Sequence, residues 1–399
     1  MPEPILGPQT SLTVPLGARS YEIVVTSGQP ENFGRFARAF LDATWAGKHC
    51  RFALLVTDEN LAPLPFPPAC REAIEQLGIR VQSVVLPAGE ATKCLDQASR
   101  LYDCLVAARA DRHTAIVAVG GGVIGDLAGF VAATYARGLP LLMVPTSLLA
   151  QVDSAVGGKV GINHPLAKNI IGAFHQPSGV WIDTASLDTL PPRELRCGLA
   201  EVVKYGVILD AAFFAFLEAR AEVILERQGD ALRTIVARSC QLKADVVACD
   251  EREETGRRAV LNFGHTVGHA IEAVAGYGGP YLHGEAVAAG MVAECRMAEH
   301  LGWITPEVTT RLIALLLRFG LPTATPGLDP ASLLEAMTRD KKNQRGQIRF
   351  VLPRALGQVE LTGDVGAELM RLVVSDLCAQ GNDALAVSAA LHSDAPTPS

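Results

Sequence analysis

The first 190 residues alternate short apolar runs with stretches of helical period. Tyr21–Thr26, Phe52–Thr57, Val81–Leu86, Thr114–Val119 and Leu141–Pro145 are rich in branched aliphatic residues. Gly, Pro or Asp bounds each run, which predicts strands. Pro68–Leu77 and Cys94–Ala110 carry helical spacing between them. Strand–helix alternation implies parallel pairing through crossover helices, and Val180–Asp183 reads as the last strand of this unit. From about residue 191 the period changes. Residues 195–208, 211–226, 232–249, 265–275, 283–301, 306–319 and 330–338 all read as helices. Arg349–Leu352 and Val359–Leu361 suit a short hairpin. The expectation is an α/β domain over 1–190 and a helical domain over 191–380, with the boundary at Leu190-Pro191-Pro192. The small polar tail 381–399 reads as disordered. A cleft between two such domains is a common seat for an active site.

Composition narrows the function classes. The chain has 399 residues, 35 basic and 42 acidic, for a formal net charge of -7. That excludes the basic surplus expected of a nucleic-acid binder. With 49% hydrophobic and 19% charged residues, the chain is an ordinary globular one. No apolar run approaches the ~20 residues of a membrane span. The N-terminal MPEPILGPQTSLTVPLG lacks the basic-then-apolar order of a secretory signal. Nine cysteines are scattered without a CxxC pair, which suits reduced thiols in the cytoplasm.

Three clusters carry candidate chemistry. Thr114–Val119 runs directly into Gly120-Gly121-Gly122-Val123-Ile124-Gly125-Asp126, a GxGxxG spacing between a strand and a helix. Glycines there let backbone N–H groups approach a pyrophosphate at the helix start. No acid follows near position 140, but Asp58 ends an earlier strand, where it could reach a ribose hydroxyl. Next come Pro145-Thr146-Ser147, the run Asp153 to Lys159 with its Gly157-Gly158 pair, and Lys168-Asn169. This set suits a phosphorylated or carboxylated substrate, or else a solvated loop. Finally, His265 and His269 stand at i and i+4, His283 follows, and Glu201 lies upstream on another helix. Two imidazoles and a carboxylate with an open fourth position make a catalytic zinc arrangement. Spacing leaves open which histidines are ligands. Lys243, Glu254, Arg258, Asn262 and Arg339-Asp340-Lys341-Lys342 are further charged or polar candidates nearby in sequence.

Nine motifs occur in order: PAGEATK (87–93), GGGVIGD (120–126), VPTSLLAQVDSAVGGKVGIN (144–163), KNIIGAFHQP (168–177), LPPREL (190–195), GLAEVVKYG (198–206), LNFGHTVGHAIE (261–272), LHGEAVAAGM (282–291) and RDKK (339–342). From about Leu12 to Cys378 the chain resembles the 3-dehydroquinate synthase family, within the sugar phosphate cyclases. The resemblance implies an N-terminal Rossmann-like NAD-binding domain, an all-α C-terminal metal-binding domain and a homodimer. It implies NAD+ and zinc, or cobalt, as cofactors. The implied substrate is a sugar phosphate, 3-deoxy-D-arabino-heptulosonate 7-phosphate, and the products are 3-dehydroquinate and phosphate.

Carried over by motif, the metal ligands are Glu201, His265 and His283, with His269 a substrate and proton-transfer residue. The NAD+ contacts are Asp58, Glu90, Lys93, Gly121, Gly122, Asp126, Thr146, Ser147, Lys168 and Thr189, with Lys159 lying near the cofactor as well. Substrate contacts are Asp153, Lys159, Asn169, Lys243, Glu254, Arg258, Asn262 and Lys341 or Lys342. Arg137 resembles the arginine that reaches the neighbouring subunit's substrate phosphate. The sequence departs from the family in small ways. Ser147 stands where a second Thr is common, and Ala167 replaces a usual Gly. The stretch Asp250–Arg258 is one residue longer than typical, which leaves Glu254 the least secure carry-over. The rival readings are a sister cyclase acting on sedoheptulose 7-phosphate, a polyol dehydrogenase and a non-catalytic dinucleotide sensor.

Overall fold

The structure, a computed structural model, describes residues 9–43, 50–276, 279–339 and 348–379. The tail 381–399, read above as disordered, lies outside the described residues. The chain divides into two compact units. Against a boundary expected near 190, it passes from one unit to the other at 195/196, 226/227 and 254/255.

The sheet unit takes the N-terminal part and residues 227–254. Its elements are β1 (Gln9–Val14), β2 (Tyr21–Thr26), α1 (Phe33–Ala43), β3 (Phe52–Asp58), α2 (Phe66–Glu75), β4 (Arg80–Leu86) and α3 (Leu95–Ala107). Then come β5 (Ala115–Gly120), α4 (Gly122–Thr134), β6 (Leu141–Pro145), β7 (Lys159–His164), β8 (Ala167–Phe174) and β9 (Gly179–Asp183). Seven strands form one sheet in the order β1-β2-β9-β6-β5-β3-β4, all parallel except β1. Strands β5, β6 and β9 are buried along their whole length, as continuous apolar runs in a parallel sheet should be. The chain goes from β3 outward to β4, then returns past β3 to β5. The carboxyl ends of β3 and β5 therefore flank a topological switch point, the usual ligand crevice of such sheets. Trp181 on β9 packs against Phe33 and Phe36 of α1, with ring centroids at 6.1 and 5.3 Å.

Residues 153–169 read as a polar stretch in the sequence, but part of it is strand. β7 and β8 pair antiparallel from Lys159↔Phe174 to His164↔Ala167. Gly161 and Gly172 make this possible: a Cβ on Gly172 would lie 2.4 Å from the Val160 carbonyl oxygen. The hairpin leaves Leu166, Ile170 and Phe174 exposed.

The chain then leaves the sheet unit through α5 (Pro192–Leu209), with Pro near its start, where a missing N–H costs nothing. α6 (Ala211–Leu225) follows, before α7 (Gly229–Cys249) returns to the sheet unit and packs on β1 and β2. The helical unit continues with α8 (His265–Ala275), α9 (His283–His300), α10 (Pro306–Arg318), α11 (Pro330–Arg339) and α12 (Ala367–Ala379). It also holds the expected hairpin, β10 (Phe350–Ala355) with β11 (Gln358–Thr362), so it is not purely helical. The Ala- and Gly-rich α9 is buried almost all round and forms this unit's central rod.

Candidate metal centre and nucleotide loop

In the helical unit, α5 supplies Glu201, α8 supplies His265 and α9 begins at His283. Two glycines let these helices close in. A Cβ on Gly284 would stand 2.0 Å from the Cys197 carbonyl oxygen, and one on Gly290 would stand 2.0 Å from that of Gly264. The Gly284 N–H donates to Cys197 Sγ at 3.0 Å, and the Gly264 N–H donates to Glu294 Oε2 at 2.7 Å. The helix starts are thus fixed within hydrogen-bonding distance of the residues beside the histidines.

The three side chains converge. Glu201 is fully buried, and its Oε1 lies 3.5 Å from His265 Nε2 and 3.3 Å from His283 Nε2. Ligands about 2.1 Å from a tetrahedral zinc stand about 3.4 Å apart, so this spacing fits the ion. The opposite ring nitrogens are already engaged. His265 Nδ1 meets the Phe263 carbonyl at 3.0 Å, and His283 Nδ1 meets Glu272 Oε2 at 3.0 Å. Each ring therefore presents Nε2 to the shared point, the outer-shell support expected of metal-ligating histidines. Among the described residues this trio is the group with metal-ligand geometry. His269, left open by spacing, is not part of it, although its ring centroid is 5.3 Å from that of His265.

The electrostatics are divided. Burial, aided by Lys204, holds His265 well below the ordinary histidine range. Burial opposes charge on His283 too, but hydrogen bonds to Glu201 and Glu272 outweigh it and push His283 up to about 9. Lys204 forms a buried ion pair with Glu201 Oε2. Sequence reading passed over both Lys204 and Glu272. The available signals were helical: Lys204 lies at i+3 from Glu201, and Glu272 at i+7 from His265. In the same unit, Arg258 is buried and Asn262 half-buried within a 3₁₀ turn, Arg257–Asn262. Lys341 and Lys342 lie outside the described residues.

In the sheet unit, Gly120 ends β5, Gly121 caps α4 and Gly122 starts it. The loop is backed by hydroxyls. A Cβ on Gly121 would lie 3.4 Å from Ser147 Oγ, and one on Gly122 would lie 3.1 Å from Ser154 Oγ. A narrow cleft here is lined by Gly120, Gly121, Gly125, Met143, Pro145 and Ser154. The buried Thr146 donates its N–H to the Gly120 carbonyl at 3.0 Å. Bare backbone at a helix N-terminus beside the switch point is the arrangement that accepts a dinucleotide pyrophosphate.

Lys93 and Asp126 come together, Nζ to Oδ2 at 2.6 Å, with Lys93 buried. Burial raises the Asp126 carboxyl, while Lys93 pulls it the other way. Glu90 Oε1 accepts from Asn163 Nδ2 at 2.8 Å, and Asn163 Oδ1 accepts from the Asn169 N–H at 2.8 Å. Asn163, missed in the sequence reading, thus links the turn after β4 to the β7–β8 hairpin. Asp58 Oδ1 accepts from the N–H groups of Asn60 and Leu61 at 2.9 and 3.1 Å and shapes the turn after β3. Thr189 is exposed and Lys168 half-buried.

Asp153 sits in a π-turn, Ala150–Ser154, a local departure that often marks functional sites. The buried Lys243 of α7 donates to both the carbonyl and Oδ1 of Asp153, each at 2.7 Å. Lys159 pairs with Glu253 rather than with Glu254. Arg137 is exposed on a turn where Ala136 and Arg137 both adopt positive φ, 49° and 66°.

Known proteins resemble this chain in sequence and in fold. The family models for the 3-dehydroquinate synthase N-terminal and C-terminal regions match residues 83–197 and 198–343. A 3-dehydroquinate synthase of Desulforamulus reducens is 50% identical over 356 residues, 89% of this chain and 96% of that one. Among solved structures, a 2-epi-5-epi-valiolone synthase from Streptomyces hygroscopicus with NAD+ and Zn2+ bound is similar at TM-score 0.80 and 28% identity. The alignment covers 90% of this chain and 97% of that one. A 2-deoxy-scyllo-inosose synthase complexed with carbaglucose-6-phosphate, NAD+ and Co2+ is similar at TM-score 0.80 and 26% identity, covering 92% and 100%. With matching regions across both units and 50% identity to a named relative over 89% of its length, the chain belongs to the 3-dehydroquinate synthase family.

Proposed function

We propose that this family member converts 3-deoxy-D-arabino-heptulosonate 7-phosphate to 3-dehydroquinate and phosphate, with NAD+ and zinc or cobalt as resident cofactors. The observation that carries the reading is the convergence of His265 and His283 on the buried Glu201, whose Oε1 lies 3.5 and 3.3 Å from their Nε2 atoms. When bound, the metal polarises the substrate C5 hydroxyl and NAD+ takes the C5 hydride and returns it. The remaining work belongs to the chain. The Gly120–Gly122 backbone and the Lys93–Asp126 pair hold the dinucleotide. Lys159, Asn169, Lys243, Arg258 and Asn262 supply donors and positive charge for a doubly anionic substrate, and Asp153, which accepts from Lys243, offers an acceptor for a substrate hydroxyl. His269 moves a proton to or from the substrate. Lys341 or Lys342 completes the grip on the substrate. Phosphate departure and the closing aldol then need orientation and anion stabilisation more than further covalent chemistry from the protein.

The proposal includes a homodimer, in which exposed Arg137 serves the neighbouring subunit's phosphate. It also includes a reducing, cytoplasmic setting, which suits nine cysteines without a disulfide. None of the described helices is long and apolar enough to cross a membrane.

The test is phosphate release from the heptulosonate phosphate with a trace of NAD+, with and without a chelator. Sedoheptulose 7-phosphate runs beside it. Chelator-sensitive release from the first substrate, many turnovers per NAD+ and no lasting NADH support the proposal. Release from the sedoheptulose compound alone means a sister cyclase, and accumulating NADH means a dehydrogenase.

A further inference from the structure

The loop after α7 sets which acid meets Lys159. Glu251 is anchored from two sides. Arg19, after β1, donates through Nε and Nη2 to its two oxygens at 3.1 and 2.6 Å, and Gln176 Nε2 donates to Oε1 at 3.0 Å. These bonds hold the Glu251 carboxyl below the usual range, Arg19 being the main cause. Two residues on, the backbone of Glu253 turns into the left-handed region, with φ 59°. A non-glycine residue there is uncommon and costs energy unless its surroundings enforce it. The turn carries the Glu253 carboxylate onto Lys159 Nζ, at the start of β7. Glu254 is exposed and pairs with none of the described residues.

We infer that Glu253, not the motif-matched Glu254, is the acid that positions Lys159 for the substrate. The resemblance implies one extra residue in Asp250–Arg258 without saying where it lies, so counting back from Arg258 to Glu254 does not fix the acid, whereas the pairing in the fold does. Half-exposed Lys159 has a long flexible stem. A carboxylate that fixes its ammonium before substrate arrives lowers the entropy lost on binding. Glu253 is a positioning residue, acting through Lys159. The inference rests on the proposed role of Lys159.

The test compares E253Q, E254Q and E253D in the full-length protein. Steady-state kinetics with the heptulosonate phosphate should show kcat/KM at least tenfold lower for E253Q than for E254Q, mainly through KM. E253D should recover part of the loss. An equal or larger loss in E254Q overturns the inference. So does an E253D as poor as E253Q. A second readout needs no turnover: acetylation of Lys159 by a water-soluble ester, read by mass spectrometry. Labelling should rise severalfold in E253Q and not in E254Q, and the reverse pattern overturns the inference. If the parent releases no phosphate while the labelling follows Glu253, the functional reading fails and the pairing stands.

Discussion

Glu272 offers the sharpest test of the metal centre, because it touches the ion only through His283. Its carboxylate is buried and lies 3.0 Å from His283 Nδ1. On α8 it follows His265 by seven residues, two turns along the same face. A neutral His283 donates Nδ1–H to it, which fixes the tautomer, aims Nε2 at Glu201 and raises the basicity of the ring. E272A removes all three effects. Loss of such an outer-shell partner weakens metal binding about 10–100-fold, or about 1.4–2.7 kcal/mol. E272Q keeps an acceptor at the same reach but loses its charge. A neutral hydrogen bond is roughly half as strong as a charge-assisted one, so E272Q should fall near the square root of that factor, about 3–10-fold. The assay is zinc competition against a chromophoric chelator on metal-free protein. The visible spectrum of the cobalt form then reports ligand geometry. Circular dichroism of the metal-free variants confirms that the fold survives. Parental affinity in E272A would refute the reasoning, as would an E272Q no better than E272A.

Other outcomes follow from the same geometry. H265A should lose stoichiometric zinc, read by atomic emission, and with it nearly all phosphate release; a metal-free but active variant would remove His265 from the ligand set. K93M strands the partly buried Asp126 carboxylate, and breaking a buried pair costs 3–5 kcal/mol. With about a fifth of the Asp126 side chain exposed, about 2–3 kcal/mol should appear as a lower denaturant midpoint in cofactor-free protein. His175 donates through Nε2–H to the Leu139 carbonyl, 2.9 Å away, and burial lowers its proton affinity. The unfolded chain therefore binds that proton more readily, so stability is full above the ordinary value of about 6.5 and falls as pH drops through the lower folded value. Denaturant titrations of H175Q from pH 8 to pH 5 should show a shallower acid limb than the parent.

How much of this could be read from the sequence varied with the physics of each segment. The parallel strands were legible because burial on both faces makes them continuous apolar runs. β1 was not, since it is an edge strand with only Leu12 and Val14 buried. The β7–β8 hairpin was hidden because glycines, lysine and asparagine fill it and, although Val160 and Ile162 of β7 are buried, the large apolar side chains of β8 are exposed. α1 and α12 were also missed, although α1 has clear amphipathic spacing. In the metal centre, spacing could gather four candidates but could not choose among three histidines, because that choice depends on how α5, α8 and α9 meet. The resemblance named the trio that the geometry brings together. Glu272, Lys204 and Asn163 act by supporting other residues, and a supporting role leaves little trace in motif spacing. Glu253 was obscured for another reason: it adjoins Glu254, and spacing does not say which of two neighbouring acids turns toward Lys159.

The path of the chain has a consequence for dissection. Because α7 returns to cover β1 and β2 after α5 and α6 have joined the other unit, the two units are interlaced, not strung in series. A fragment ending at 195 would carry all seven strands of the large sheet yet lack the helix that covers β1 and β2. Neither half can therefore be cloned as an uninterrupted piece. Proteolytic cleavage at any one crossing leaves two continuous connections in place. Separating dinucleotide binding from metal binding in this protein is a task for point substitution or circular permutation, not truncation.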